Sequence, residues 1–146
     1  MLSESSEATE EIGRKIGMSL KGGEVIELIS DLGGGKTTLV RGIAAGAGSR
    51  DKISSPTFTL SKEYNASNFK IIHYDFYRLQ DSGLMQYELA EALSDRNAVL
   101  VVEWANIIKD VLPEDRLIIR ISAKDESVRQ LDFEATEHNR YLVEIT

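Results

Sequence analysis

The sequence predicts an α/β protein built on one sheet, with parallel strands at the centre, antiparallel additions, and helices on both faces. Two observations carry this. A short, largely β-branched run, Glu24 to Ile29, feeds a glycine-rich stretch that opens directly into a helical pattern at Lys36. Further on, Ala98 to Val102 (AVLVV) is an unbroken apolar run, the pattern of a strand buried on both sides. With 146 residues, 42% hydrophobic and 28% charged, the chain reads as one domain spanning residues 1–146 rather than as a disordered segment.

The elements follow in order. Ser3 to Leu20 reads as a helix: Ser5 and Ser6 offer caps, Glu7, Glu10 and Glu11 suit its positive end, and Ile12, Ile16 and Leu20 recur at four-residue spacing. Gly22-Gly23 breaks it, and Glu24 to Ile29 is the first strand. Ser30 to Gly35 is a glycine-rich turn. Lys36 to Ala47 is a second helix, with Leu39, Val40, Ile43 and Ala44 on one side and Gly48 just past its end. Ser54-Ser55-Pro56 is a loop, because proline pushes its predecessor out of helical space. Thr57 to Tyr64 alternates as a strand, and Lys70 to Tyr74 is another. Asp81-Ser82-Gly83 opens a helix whose Met85, Leu89 and Leu93 share a face. After the apolar strand, three strand-like stretches complete the chain: Leu117–Ile121, Val128–Phe133 and Tyr141–Ile145. The strands after Ser122 are either a docking edge or sheet completion.

Composition excludes several classes. There are no cysteines, so disulfides, thiolate catalysis and cysteine-ligated metals are ruled out. His73 and His138 are the only histidines, too few for a histidine-rich metal site. The net charge of −7 disfavours direct, tight nucleic-acid binding, which needs clustered Lys and Arg, and points to contact through a partner protein. Met1 to Glu11 is polar and acidic, unlike a secretory signal, and no apolar run approaches the roughly 20 residues of a membrane span; a cytoplasmic protein without membrane contact is expected.

The chemistry concentrates in Ser30-Asp31-Leu32-Gly33-Gly34-Gly35-Lys36-Thr37-Thr38. A P-loop is written G-x-x-x-x-G-K-[ST], and this segment matches all of it except the first glycine, where Ser30 stands. Backbone N–H groups of Asp31 to Thr38 must converge on phosphate oxygens, which requires dihedrals that glycine reaches cheaply. Lys36 places a point charge against the β- and γ-phosphates, Thr37 offers a hydroxyl to Mg²⁺, and the helix start favours the anion. The expected ligands are therefore ATP and Mg²⁺. If position 30 needed left-handed dihedrals, serine would cost about 1–2 kcal/mol there.

Such a loop needs a further acidic group. Asp75 follows Lys-Ile-Ile-His-Tyr and Glu103 follows Ala-Val-Leu-Val-Val, both at carboxyl ends of strands, where ligands of open α/β sheets sit. Glu103, after the better buried strand, is the preferred magnesium ligand; Asp75 either completes the shell or acts as a base. Trp104 either senses the γ-phosphate or packs, and Phe76, Tyr74 and Tyr77 read as packing. Thr57 reads as functional by its place in the loop. Arg78 pairs with Asp75 or Glu88, or faces a phosphate or a partner. His73 reads as a packed or capped imidazole rather than a base.

Asp31 to Thr38, then Ser55-Pro56-Thr57-Phe58-Thr59-Leu60, His73-Tyr74-Asp75-Phe76-Tyr77-Arg78-Leu79, Glu103-Trp104 and Leu112-Pro113-Glu114-Asp115 occur in this order. The set resembles the TsaE (YjeE) family of small bacterial P-loop ATPases, over about Ile12 to Ile121. The resemblance implies a magnesium-dependent ATPase that supports TsaD- and TsaB-like partners in making N6-threonylcarbamoyladenosine on tRNA, with tRNA met through that complex. It implies that Thr57 lies in a switch-like loop near the γ-phosphate, that Asp75 and Glu103 flank the magnesium, and that the stretch near Ser6 contacts the adenine side. The family usually has glycine at position 30 and often alanine at position 34; the latter difference reads as harmless in a loop.

Two other functions compete. A small-molecule kinase on the same loop needs a lid and phosphate-clamping arginines, and no such segment is present. A regulatory GTPase needs an Asn-Lys-x-Asp stretch, also missing from the sequence.

Overall fold

A computed structural model describes residues 1–31 and 33–144. Among these residues, seven strands form one mixed sheet in the order β1-β7-β6-β2-β5-β4-β3. Its centre is β2 (Val25–Ile29), paired in parallel with β5 (Ala98–Glu103) on one side and β6 (Leu117–Ala123) on the other. β4 (Lys70–Asp75) continues the parallel set beside β5. The additions are antiparallel: β3 (Ser61–Asn65) on β4, β7 (Arg129–Glu134) on β6, and the short β1 (Leu2–Ser3) on β7.

The helices cover both faces, and the period-2 alternation of the strands shows which side chain goes where. Ile26, Leu28, Ile71, Val99 and Val101 point to the face carrying α1 (Ser6–Ser19) and α2 (Lys36–Gly46). Val25, Ile72, Tyr74, Leu100 and Val102 point to the other, packing with Leu89 of α3 (Met85–Ser94) and with Ile108. β5 is buried along its whole length, as its apolar run requires.

α1 and α2 pack through glycines. A Cβ on Gly17 would lie 2.0 Å from the Ile43 carbonyl oxygen, and one on Gly42 would lie 2.0 Å from that of Glu10. The four-residue spacing of Gly13/Gly17 and Gly42/Gly46 thus lets the two backbones approach closely, which seats α2 and the loop before it.

Three element boundaries differ from expectation. The first helix begins at Ser6, not Ser3: Ser5 is its cap, accepting from the Ala8 N–H at 3.0 Å, and Ser3 has left for strand β1. The strand expected over Thr57 to Tyr64 starts only at Ser61. Residues 57–59 turn instead, with the Thr59 N–H on the Pro56 carbonyl at 3.2 Å and Leu60 left-handed at φ 66°. The stretch expected as a last strand from Tyr141 is the end of a 3₁₀ helix, Glu137–Leu142, while Ile145 lies outside the described residues. That helix buries Leu142 in the core and brings the Tyr141 hydroxyl to Glu24, at 2.5 Å.

Candidate functional site: a glycine loop facing two strand-end acids

The glycine turn leaves the end of β2 and enters α2. Gly33 and Gly35 take positive φ, 74° and 101°. Ser30 does not, so the dihedral penalty considered for serine does not arise; its side chain instead donates to the Asp31 carbonyl at 3.0 Å. Gly35 is the N-cap of α2 and has no side chain to offer, so the first N–H groups of the helix remain available to an anion. Asp31 contributes its carbonyl, which accepts from the Gly34 N–H at 3.1 Å. Leu32, also expected to contact the ligand, lies outside the described residues.

One expectation is corrected here. Alanine at Gly34 reads as harmless from the sequence, yet a Cβ at that position would lie 1.7 Å from Ser30 Oγ and 3.0 Å from Ser30 Cβ. Serine at 30 and glycine at 34 fill one space between them.

Lys36 is almost enclosed and bridges the site. Its ammonium donates to the carbonyls of Ser30 and Asp31, both at 3.2 Å, and lies 3.9 Å from Glu103 Oε1. The Trp104 ring lies 4.8 Å below the ammonium, within cation–π range. Trp104 holds a left-handed backbone, φ 55°, at the start of the 3₁₀ helix Ala105–Ile107, and its ring packs on Tyr77 with centroids 4.9 Å apart.

Both acids end strands on the α2 side of the sheet. Asp75 continues the face of Ile71 and His73, Glu103 continues that of Val99 and Val101, and the register pairs the two acids directly. Both are buried. Asp75 Oδ2 accepts from Thr57 Oγ1 at 2.9 Å and Oδ1 accepts from the Tyr77 N–H at 3.0 Å. This is why residues 57–59 do not form a strand: Thr57 is turned toward Asp75 rather than into the sheet. Thr37 and Thr38 start α2 with no side-chain hydrogen bond to a described residue, and line the cleft beside Lys36.

These groups enclose a cleft of about 290 Å³: Gly33 to Thr38 on one wall, Ser55 and Thr57 on another, with Asp75, Glu103 and Trp104 at its base. A second hollow of about 160 Å³ shares Gly33, Gly35 and Thr38 with it and is lined further by Ser6, Thr9 and Arg129. The structure thus brings Ser6, far from the loop in sequence, to its other side. Arg78 pairs with neither Asp75 nor Glu88; its guanidinium lies over the Phe58 ring at 4.6 Å.

Two contributors carry no strong signal in the sequence. Ser55 was visible only as a loop residue before proline, yet its hydroxyl lies 2.7 Å from that of Thr57. Arg129 donates from Nε to the Gly34 carbonyl at 3.2 Å across 95 positions, with no local signal. His73, read from the sequence as a packed or capped imidazole, is buried with Nε2 2.5 Å from Glu103 Oε2, a partner that the alternation of β4 and β5 suggests.

A glycine turn between a central parallel strand and a helix, a lysine folded back on the turn, and acids at the ends of adjacent parallel strands together define an α/β protein of the P-loop class. Comparison with known proteins narrows this. The sequence profile described as "Threonylcarbamoyl adenosine biosynthesis protein TsaE" matches residues 3–131. The tRNA threonylcarbamoyladenosine biosynthesis protein TsaE of Bacillus subtilis is 38% identical over 139 residues, 92% of this chain and 84% of that protein. Its counterpart from Streptomyces coelicolor is 40% identical over 116 residues, 76% of each chain. The crystal structure of Bacillus subtilis YdiB superposes with a TM-score of 0.77 at 34% identity, covering 99% of this chain and 90% of that one. The chain belongs to the TsaE family, and so to tRNA threonylcarbamoyladenosine biosynthesis. Among the described residues, no helix is long and apolar enough to cross a membrane.

Proposed function

We propose that this chain binds and hydrolyses ATP with Mg²⁺, and that hydrolysis supports TsaD- and TsaB-like partner proteins that carry out the tRNA modification in the cytoplasm. The observation that carries the reading is the buried Lys36 ammonium, held between the loop carbonyls and Glu103 at the floor of a glycine-walled cleft.

The residues present fit the nucleotide and its metal. The α2 start is free of any side-chain cap, and around Gly33 nothing lies within 4 Å of where a Cβ would be, so the backbone is open to a close ligand. Glycine N–H groups and the helix start would hold the phosphates, with Lys36 against the β- and γ-oxygens. Thr37, Glu103 and Asp75 offer the hard oxygen donors that Mg²⁺ takes. Bound there, the metal would supply positive charge opposite the phosphate oxygens during transfer.

The chain's own part is positioning and electrostatics. Lys36 opposes charge developing on the terminal phosphate, and Trp104 walls the lysine on its far side. The Thr57–Asp75 bond fixes the 57–59 turn at the mouth of the cleft, so that Thr57 can respond to what occupies it. That Ser6 lines a hollow with Gly33 and Arg129 supports the reading that it contacts the adenine side of the nucleotide. The net charge of −7 agrees with tRNA being met through partners.

Titration calorimetry with ATP and Mg²⁺ tests the site. Wild-type chain is expected to bind and Lys36→Ala to show no binding; equal affinities refute the P-loop assignment. Adding the partner proteins and tRNA should raise turnover, and Glu103→Ala should stop tRNA modification; normal modification by that variant removes Glu103 from the mechanism.

A further inference from the structure

Glu103 reaches the cleft from the end of β5, and the side chain that holds it is His73 on β4. His73 is fully enclosed, with Nε2 at 2.5 Å from Glu103 Oε2. Nδ1 has no hydrogen-bond partner among the described residues. These facts assign the proton. A proton on Nδ1 would be a buried donor without an acceptor, which is costly, whereas Nε2 faces a carboxylate oxygen. The ring therefore carries its hydrogen on Nε2 and donates it to Glu103.

We infer that His73 is a positioning residue for the nucleotide site: by occupying Oε2 it fixes the Glu103 carboxylate and leaves only Oε1 directed at Lys36 and the cleft. Oε1 is the oxygen 3.9 Å from the Lys36 ammonium. With Oε2 held by His73, Oε1 is the oxygen that Glu103 presents to the cleft. The alternative role, plain packing, leaves the ring's N–H without a use. Its neighbours on that face include the buried Ile71, Val99 and Val101 and the Tyr64 ring at 6.5 Å, with Lys62 across from it on β3 and Asp75 next along β4. An imidazole there gains nothing over leucine unless its N–H is used. Acids that serve a metal or a phosphate are commonly held by such outer hydrogen bonds, whose loss lowers metal affinity or activity about 10–100-fold.

The inference rests on the reading that Glu103 serves the nucleotide, so the test separates the two. Nitrogen-15 NMR of the histidine rings in the nucleotide-free chain reads the tautomer directly. Nε2 protonated and Nδ1 bare is expected; a proton on Nδ1 overturns the inference. His73→Leu is then expected to lower ATP turnover about 10–100-fold and to raise the Mg²⁺ concentration needed for half-maximal turnover. ATP affinity by calorimetry should stay within about threefold. His73→Gln, whose amide N–H reaches toward the place of Nε2, should recover most of the turnover. Wild-type turnover in His73→Leu overturns the inference, as does an equal loss of affinity and turnover in both variants. If His73→Leu does not fold, the tautomer and His73→Gln decide: near wild-type turnover in His73→Gln supports the role, and turnover as low as that of Glu103→Ala overturns it. A wild-type chain that binds no ATP refutes the nucleotide reading, while the tautomer, read without nucleotide, still decides whether His73 holds Glu103.

Discussion

Replacing Gly34 by alanine is the smallest change that probes how the phosphate loop is packed. Gly34 has no positive φ, so the backbone itself would accept alanine. The obstacle is Ser30. The new Cβ would lie 1.7 Å from Ser30 Oγ, which can rotate away only by giving up its hydrogen bond to the Asp31 carbonyl. That bond is exposed and contributes at most about 1 kcal/mol. Rotation does not move Ser30 Cβ, which would still be 3.0 Å away, so the loop itself must give by a few tenths of an ångström. Inserting a methyl into a filled space costs about 1–3 kcal/mol, of which the part relieved by rotating Ser30 Oγ is recovered. A net cost of about 1–2 kcal/mol to the loop's binding geometry corresponds to about 5–30-fold weaker ATP affinity.

The partner substitution makes the reasoning strict. In a Ser30→Gly background only the Asp31 carbonyl oxygen, 3.1 Å from the new Cβ, remains close, and adding Gly34→Ala should cost less. Calorimetric ATP affinities of wild type, Gly34→Ala, Ser30→Gly and the double variant form a thermodynamic cycle with an expected coupling of about 1–2 kcal/mol. Full affinity in Gly34→Ala alone, or additive effects in the double variant, would show that Ser30 and Gly34 do not share one space.

Thr57→Val should lower ATP turnover at least about tenfold while changing nucleotide affinity by less than about threefold, because it removes the donor to Asp75 Oδ2 without touching the phosphate cradle; Thr57→Ser should retain most activity in the same assay. Gly17→Ala should destabilise the protein by about 1–3 kcal/mol in urea unfolding, since its Cβ would meet the Ile43 carbonyl at 2.0 Å and the roughly 1 kcal/mol of helix propensity gained cannot offset the separation of α1 from α2. Tyr74 is raised from its ordinary value of 10 to about 12, first by burial and then by Glu88 and Glu63. Its contribution to stability is therefore fully present below pH 10 and lost as pH rises through about 12. Urea midpoints should fall less steeply over that window in Tyr74→Phe than in wild type.

Elements defined by their own periodicity were legible in the sequence. β2 and β5 declare themselves as apolar runs, and α1 and α2 by four-residue spacing, so the loop between β2 and α2 could be placed without coordinates. Failures came where a residue's conformation is set by a distant partner. Residues 57–64 alternate like a strand throughout, but Thr57 is claimed by Asp75 and the strand begins four residues late. Tyr141 and Val143 alternate as well, but Asn139 bonds Asp115 at 3.0 Å and the segment curls into a 3₁₀ helix that seats Leu142 in the core. A local pattern cannot report such contacts, which span tens of residues.

The site shows the same division at finer scale. That Asp75 and Glu103 end neighbouring strands on one face follows from counting by twos along β4 and β5, and the same count puts His73 between Ile71 and Asp75. What counting cannot give is which oxygen each acid has left. Thr57 and the Tyr77 N–H hold the two oxygens of Asp75, and His73 holds one of Glu103, so the acids differ in what they can still offer. Glu103 keeps Oε1, toward Lys36; Asp75 can meet a new ligand only through lone pairs beside bonds already made. If Mg²⁺ binds as proposed, Glu103 has the oxygen more open to it, whereas Asp75, through Thr57, also couples the 57–59 turn to the end of β4.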